Sequence, residues 1–370
     1  MSVFRRLYRG ETNIQFIKTR KRWYLASLIL VVICIGSMIF RGFNFGIDFA
    51  GGTKFQLPTS ANGQAITTGD VDKAFSEAGI SNADPAQQVG TGGAATITIQ
   101  TGSLNVGGQQ DVQKQVADDL GLQPDQISID SVSSDWGHDV TVKAIEGLLV
   151  FLVVVSIYIS IRFQWRMAVG GMVALLHDLI LAAGIYSLVG FEVTPSTVVG
   201  LLTILGFSLY DTVVVYDKVA ENSKDLLAGS RMTFSDAANL AVNQTLMRSI
   251  NTSLIALLPV AGLLFVGAGL LGVGTIKDLA LILFVGLASG AYSSLFLATP
   301  IVVDLTEHTA EYRALTKRVV AKRSAEARRE AENAELIAAG LPPRAATRRT
   351  GAPAPAPRPG ARPARSRRKR

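Results

Sequence analysis

The side chains in this sequence most able to do chemistry lie inside its apolar runs. Asp211 sits in Gly206-Phe207-Ser208-Leu209-Tyr210-Asp211-Thr212-Val213-Val214-Val215-Tyr216-Asp217, a stretch otherwise suited to cross a bilayer. An acid near the bilayer centre costs about 2.5–3.5 kcal/mol on insertion scales, and such groups usually face a bundle interior and mark a proton or ion pathway. The plainer alternative is a carboxylate that reaches an interface or makes one interhelical hydrogen bond. Ser208 and Thr212 are its supporting hydroxyls, and the small or hydroxylated Thr197, Gly200 and Ser208 let neighbouring helices approach. Asp217 projects about 120° away from Asp211, at about 100° per residue, and reads as the partner of a loop Lys or Arg near the interface.

His177-Asp178 forms a second ionisable pair in mid-run. Adjacent helical residues project on different faces, so the pair reads either as a relay or as a hydrogen-bonded structural contact. Histidine titrates near neutral pH, which makes His177 the second candidate proton site. Arg248 opens the fifth run. Arginine carries no exchangeable proton at physiological pH; beside Asp211 it would serve as a counter-charge, and snorkelling to the interface is the alternative.

Several chemistries find no support. The sequence has no P-loop, Rossmann fingerprint, nucleophile elbow or zinc motif. Its three histidines lack metal-ligand spacing, and the single Cys34 allows no intrachain disulfide. We expect no enzyme activity, no cofactor and no metal.

The elements that must position these residues follow from composition. A mean hydropathy of +0.32 over 370 residues, with a net charge of +7, describes a polytopic membrane protein with soluble parts. Six runs approach the length of a spanning helix: 23–40, 142–161, 167–189, 197–217, 252–271 and 276–305. The first follows basic residues as a signal peptide would, but no small-residue cleavage pattern follows it, so it reads as an uncleaved helix. Lys and Arg cluster before the first run, between the second and third (Arg162, Arg166), after the fourth (Lys218, Lys224, Arg231, Arg248) and after the sixth. The positive-inside rule then predicts both termini to be cytoplasmic.

Residues 41–141 are predicted to form a small extracytoplasmic α/β domain. Thr53–Leu57, Ala95–Gln100 and Ile127–Val132 alternate as strands, Asp70–Ala78 and Asp111–Leu120 read as helices, and a short strand fits Gln87–Val89. That order suits a ferredoxin-like sandwich. The loop 220–251 is too polar to span. Its Thr233…Asp236 pair resembles a capping box, and an apolar stripe follows, which predicts an amphipathic helix on the cytoplasmic membrane surface or a solvated connector. Residues 306–370 read as a basic cytoplasmic tail, disordered beyond a charged, Ala-rich helical stretch that ends near Gly340. It can touch anionic lipid or the ribosome through charge alone, or serve only to solubilise and fix topology.

Together these motifs resemble the SecF family, the membrane subunits of the bacterial SecDF export complex within the RND superfamily. The resemblance rests on Phe45-Gly46-Ile47-Asp48-Phe49-Ala50-Gly51-Gly52-Thr53, His177-Asp178, Gly206 to Lys218, Asn243 to Ser253, Gly274 to Asp278, and Gly290-Ala291-Tyr292-Ser293-Ser294. It implies that the six helices are half of an RND-type pseudosymmetric bundle completed by a SecD-like subunit. It also implies a complex that works with the SecYEG channel and SecA, using the proton-motive force to assist late export of unfolded polypeptide. Asp211 and Arg248 would belong to the proton-coupling site, with His177 and Asp178 beside them. Phe207 and Tyr210 depart from the family's usual Tyr and Asn, which changes the hydrogen-bonding around the acid. An RND-like exporter of a small molecule or lipid stands as the alternative.

Overall fold

The computed structural model describes residues 14–61, 63–90, 95–270, 274–339 and 341–342. The chain divides into two compact units between Thr316 and Lys317. Six helices among the described residues are long and apolar enough to cross a membrane, and the chain is a multi-pass membrane protein. The first of them, α1 (Arg20–Phe40), leads through β1 (Asn44–Phe45) and a single turn, α2 (Ile47–Ala50), into the α/β domain.

The domain runs β2 (Gly52–Pro58), a small hairpin of β3 (Ser60–Ala61) and β4 (Gln64–Ala65), α3 (Thr68–Glu77), β5 (Gln87–Val89), β6 (Thr96–Thr101), α4 (Val106–Leu120) and β7 (Ser128–Val132). Its sheet has the order β5-β6-β2-β7, every pair antiparallel, which is the split β-α-β-β-α-β arrangement predicted. Strand alternation sends Phe55, Leu57, Ile97 and Ile99 to one face, where they meet Val71 and Phe75 of α3 and Val112 and Val116 of α4. Burying each large side chain contributes about 1.5–3 kcal/mol. Helix α4 starts earlier than its apolar pattern predicts because Asn105 caps it, accepting a bond from the Gly108 amide at 2.7 Å.

The opposite, polar face of the sheet lines a cavity of about 510 Å³ over the adjoining end of the membrane helices. Lys54 on β2 pairs there with Glu192 at 2.9 Å. Gly51 and Gly52 have φ of +73° and +133°. A Cβ on Gly51 would fall 2.7 Å from Ser134 Cα, and one on Gly52 would fall 2.5 Å from Thr101 O. Only glycine therefore fits this entry to the domain.

Helix α5 (Ser134–Arg162) starts well before the predicted run, capped by Ser133. Helix α6 (Trp165–Val189) is followed by β8 (Glu192–Val193), which pairs in parallel with β1. Helix α7 (Pro195–Ser223) begins with a Thr194–Thr197 capping box and Pro195 at its first position.

Helix α8 (Phe234–Gly262) corrects the reading of 220–251. The Thr233–Asp236 capping box forms as predicted, but the helix it opens runs unbroken into the fifth span. Its apolar stripe, Ala237, Ala238, Ala241 and Val242, is wholly buried in the protein instead of lying on a membrane surface. The stripe continues at helical spacing through Thr245, Leu246 and Ser249, so nothing separates the two predicted pieces. Pro259, which offers no amide hydrogen, precedes a wide π-type stretch at Leu263–Leu270.

The sixth span joins α9 (Gly274–Ser293), a π turn (Ser294–Ala298) and α10 (Thr299–Glu307). Helix α11 (Ala310–Ala338) follows, so the predicted tail is ordered helix to Ala338 and is exposed along most of its length. The basic segment 344–370 and Arg5, Arg6 and Arg9 lie outside the described residues.

Candidate functional site

The site assembles where α6, α7 and α9 meet. Helices α7 and α9 approach closely because a glycine stands on one or the other helix at each contact. Gly200 faces Ile282, Gly286 faces Ile204, and Gly290 faces Ser208. These steps of four residues advance in the same direction on both helices, so α7 and α9 run parallel. Small-residue contacts of this kind let membrane helices pack backbone to backbone.

The next positions along that seam hold the buried acids. Asp178 on α6 is 1% exposed. One of its oxygens, Oδ2, accepts from Ser208 Oγ of α7 at 2.6 Å and from Ser293 Oγ of α9 at 2.6 Å. The other, Oδ1, accepts from Ser289 Oγ of α9 at 2.8 Å and lies 3.3 Å from His177 Nδ1. Three helices thus converge on one carboxylate. Asp211 on α7 is also buried, and the hydroxyl of Ser294 donates to its Oδ2. Ser293 and Ser294 are neighbours in the chain but hold different acids. Ser294 opens the π turn, whose extra residue per turn alters the direction of side chains past it.

His177 is buried, and its Nε2 has no hydrogen-bond partner among the described residues. Its ring lies 6.1 Å from that of Tyr292. The pair His177–Asp178 is therefore in mutual contact, and Asp178 is its anchored member. Thr212 is buried beside Asp211. Asp217 pairs with Arg162, which closes the second span before its connection to the third, at 2.7 Å, both about half exposed. Such exposed pairs contribute little stability.

Arg248 is not beside Asp211. Its side chain is exposed, its Nη2 lies 3.4 Å from the Tyr210 hydroxyl, and it makes no ion pair among the described residues. Tyr210, next to Asp211 in sequence, faces outward and is 50% exposed. A small pocket lined by Tyr210, Asp211, Thr252, Ser253 and Gly290 lies between α7, α8 and α9. Sequence reasoning missed Ser289, Ser293 and Ser294 as ligands of the acids. Ser289 and Ser293 stand four residues apart on one helix face, but small residues at that spacing are equally a packing signal.

At the domain end, Asp48 lines the polar cavity with Lys54, Asp130, Glu192 and Lys277. Burial first, then the Glu192 carboxylate, pushes the Asp48 acid above its ordinary range, while Lys54 pulls it back.

With this geometry in place, the chain can be set against known proteins. The family described as "Protein export membrane protein SecD/SecF, C-terminal" matches residues 112–308, and the "SecD/SecF GG Motif" matches 36–62, the interval that holds Gly51 and Gly52. Protein translocase subunit SecF of Streptomyces coelicolor is 44% identical over 333 residues, 90% of this chain and 87% of its own. The subunit of that name from Mycobacterium tuberculosis H37Rv is 45% identical over 330 residues, 87% of this chain and 74% of its own. The crystal structure of SecDF, a translocon-associated membrane protein from Thermus thermophilus, superposes with a TM-score of 0.71 at 29% identity. It matches 81% of this chain, which spans 39% of the SecDF chain's length.

Proposed function

The chain belongs to the SecD/SecF family of protein export membrane proteins, and from that premise we propose that it is the SecF-type half of a complex that uses the proton-motive force to assist protein export. It is a transport component, not an enzyme. Its partner is a SecD-like chain. Bulky apolar side chains such as Leu149, Val153, Leu254, Ile255 and Leu258 are exposed on the spanning helices, and that half together with lipid would cover them. The complex would act with SecYEG and SecA on unfolded polypeptide emerging from the channel. Both termini are cytoplasmic in this reading and the α/β domain extracytoplasmic, as the Lys and Arg distribution supports. The basic tail then faces anionic lipid or ribosomal RNA.

One observation carries the proton assignment. Two buried carboxylates, Asp178 and Asp211, are held by adjacent serines of a single helix. A carboxylate only accepts hydrogen bonds, whereas a protonated carboxyl also donates. Protonating Asp211 would therefore reverse the direction of its bond with Ser294. A shift of Ser294 moves Ser293, and with it the grip on Asp178. His177 would adjust the charge on Asp178, and Arg248, within reach of Tyr210, would approach Asp211 as the counter-charge during the cycle. One charge crossing the full potential supplies about 2.3 kcal/mol per 100 mV.

The test is proton-dependent translocation of a secreted protein into inverted vesicles containing the complex. Asp211→Asn should remove the proton-driven stimulation while co-purification with the SecD-like half is retained. Full stimulation in that variant would refute the assignment.

A further inference from the structure

The segment ahead of the first membrane helix is held in an unusual way. Asn243 accepts from the Ile14 amide at 3.0 Å and donates to the Ile14 carbonyl at 2.9 Å. Asn239, one turn earlier on α8, donates to the same carbonyl at 3.0 Å and accepts from the Ile17 amide at 3.3 Å. Both asparagines are buried, at 8% and 2% exposure for Asn239 and Asn243. Phe16 and Ile17 are buried with them. Two side-chain amides thus grip the backbone of a four-residue strap, whatever side chains the strap carries.

The strap leads directly to the π turn. Phe16 lies 5.6 Å, ring to ring, from Phe296, the middle residue of Ser294–Ala298. Trp23 also packs against Phe296 at 4.2 Å, and Tyr292 stacks on it at 5.4 Å. Phe296 therefore has three aromatic neighbours, two of them supplied by the strap and the start of α1. A π turn holds one more residue than an α turn, so its relaxation would rotate one side of the helix by about 100° relative to the other. Ser294 begins that turn and holds Asp211.

We propose that Asn239 and Asn243 are positioning residues for the proton site, acting through the Ile14–Ile17 strap and Phe296 to keep the π turn in the register that presents Ser294 to Asp211. This rests on the proton-coupling reading above. If the strap leaves, the two buried side-chain amides of Asn239 and Asn243 lose their bonds to the Ile14 and Ile17 backbone, Asn243 keeping only its bond to the Asn239 carbonyl, which costs free energy until water or a relaxed geometry satisfies them. Strap and turn therefore stand or fall together.

The experiment uses the full complex with its SecD-like half and has two arms. In the first, hydrogen exchange is followed at the amides of 294–298. Asn239→Ala/Asn243→Ala should speed exchange there at least tenfold, with exchange in the α/β domain unchanged; equal protection in variant and wild type overturns the proposal. The second arm is a mutant cycle in proton-dependent export. If the asparagines act through the serine, the double substitution lowers export severalfold in the wild-type background and adds no further loss once Ser294→Ala is present. Independent, multiplying losses overturn it. The first arm needs no export, so it stands even if Asp211→Asn were to prove fully active and the proton reading itself failed.

Discussion

Replacing Gly286 by alanine tests the seam that builds the site. A Cβ there would lie 2.2 Å from Ile204 Cδ1, with Cγ2 and Cγ1 at 2.5 and 2.6 Å. Carbon atoms rest about 3.5–4.0 Å apart, so the α7–α9 interface must open by about 1.3–1.8 Å or Ile204 must leave its rotamer. Asp178 is held from both sides of that interface, by Ser208 of α7 and by Ser289 and Ser293 of α9, at 2.6–2.8 Å. Opening by that amount pulls at least one hydroxyl beyond bonding range, and it directly stretches the Ser294–Asp211 bond. Overpacking costs about 1–3 kcal/mol, and each lost bond to a charged acceptor about 1.5–3 kcal/mol. Gly286→Ala should therefore lower the melting temperature of the purified complex and reduce proton-dependent export about tenfold or more. The second substitution decides the cause. Ile204→Ala alone leaves a cavity costing about 2–5 kcal/mol. In the Gly286→Ala background it removes the clashing atoms, so the double variant should lose much less than the two single losses combined. Full export by Gly286→Ala, or additive losses in the pair, would show that the close approach of α7 and α9 does not build the site.

Asp178→Asn keeps the shape but replaces one accepting oxygen with a donating NH2 and removes the charge, so the serine facing the nitrogen must reverse its bond and the other bonds lose their charged acceptor; both melting and export should fall, and wild-type values for both would remove Asp178 from the site. Arg248→Met should lower export strongly and Tyr210→Phe only slightly. Combining Arg248→Met with Asp211→Asn should cost no more than either change alone, and an additive loss would separate the two residues. Burial raises the Asp48 pKa in the folded protein, so the folded state binds its proton more tightly than the unfolded one. The stability it lends is fully present below about pH 4 and is lost as pH rises through the folded value. Asp48→Asn should accordingly raise the melting temperature near neutral pH and leave it unchanged in acid, and the reverse pattern would contradict the burial argument.

The parts legible in sequence were those with one dominant signal. Asp178 and Asp211 stood out because each is an acid in an apolar run, and the structure buries both. The domain's strands were legible from alternation, and their pairing order follows from the split arrangement. Serines 289, 293 and 294 were not legible as ligands, since serine in a membrane helix more often serves close packing. Whether Arg248 meets Asp211 could not be read either, because that depends on how α8 is rotated against α7; the structure turns Arg248 to Tyr210 instead. The polarity of 220–251, which includes Asn239 and Asn243, suggested a surface helix or a solvated connector. Their polarity is instead spent on the strap inside the protein.

The hydroxyls that satisfy Asp178 come from α7 and α9, both made after α6. During synthesis, then, the third span enters the bilayer with an acid that nothing in its own sequence can neutralise except the adjacent His177. Ser208 arrives with the fourth span, and two of the three hydroxyls arrive only with the sixth. An acid at mid-span without partners costs about 2.5–3.5 kcal/mol. A nascent chain is thus held in an unfinished state until its last membrane helix is inserted, and chains truncated before Ser289 should be retained by the insertion machinery or degraded. The same serines that serve the mature site thus also relieve the cost of an unpartnered acid in the growing chain.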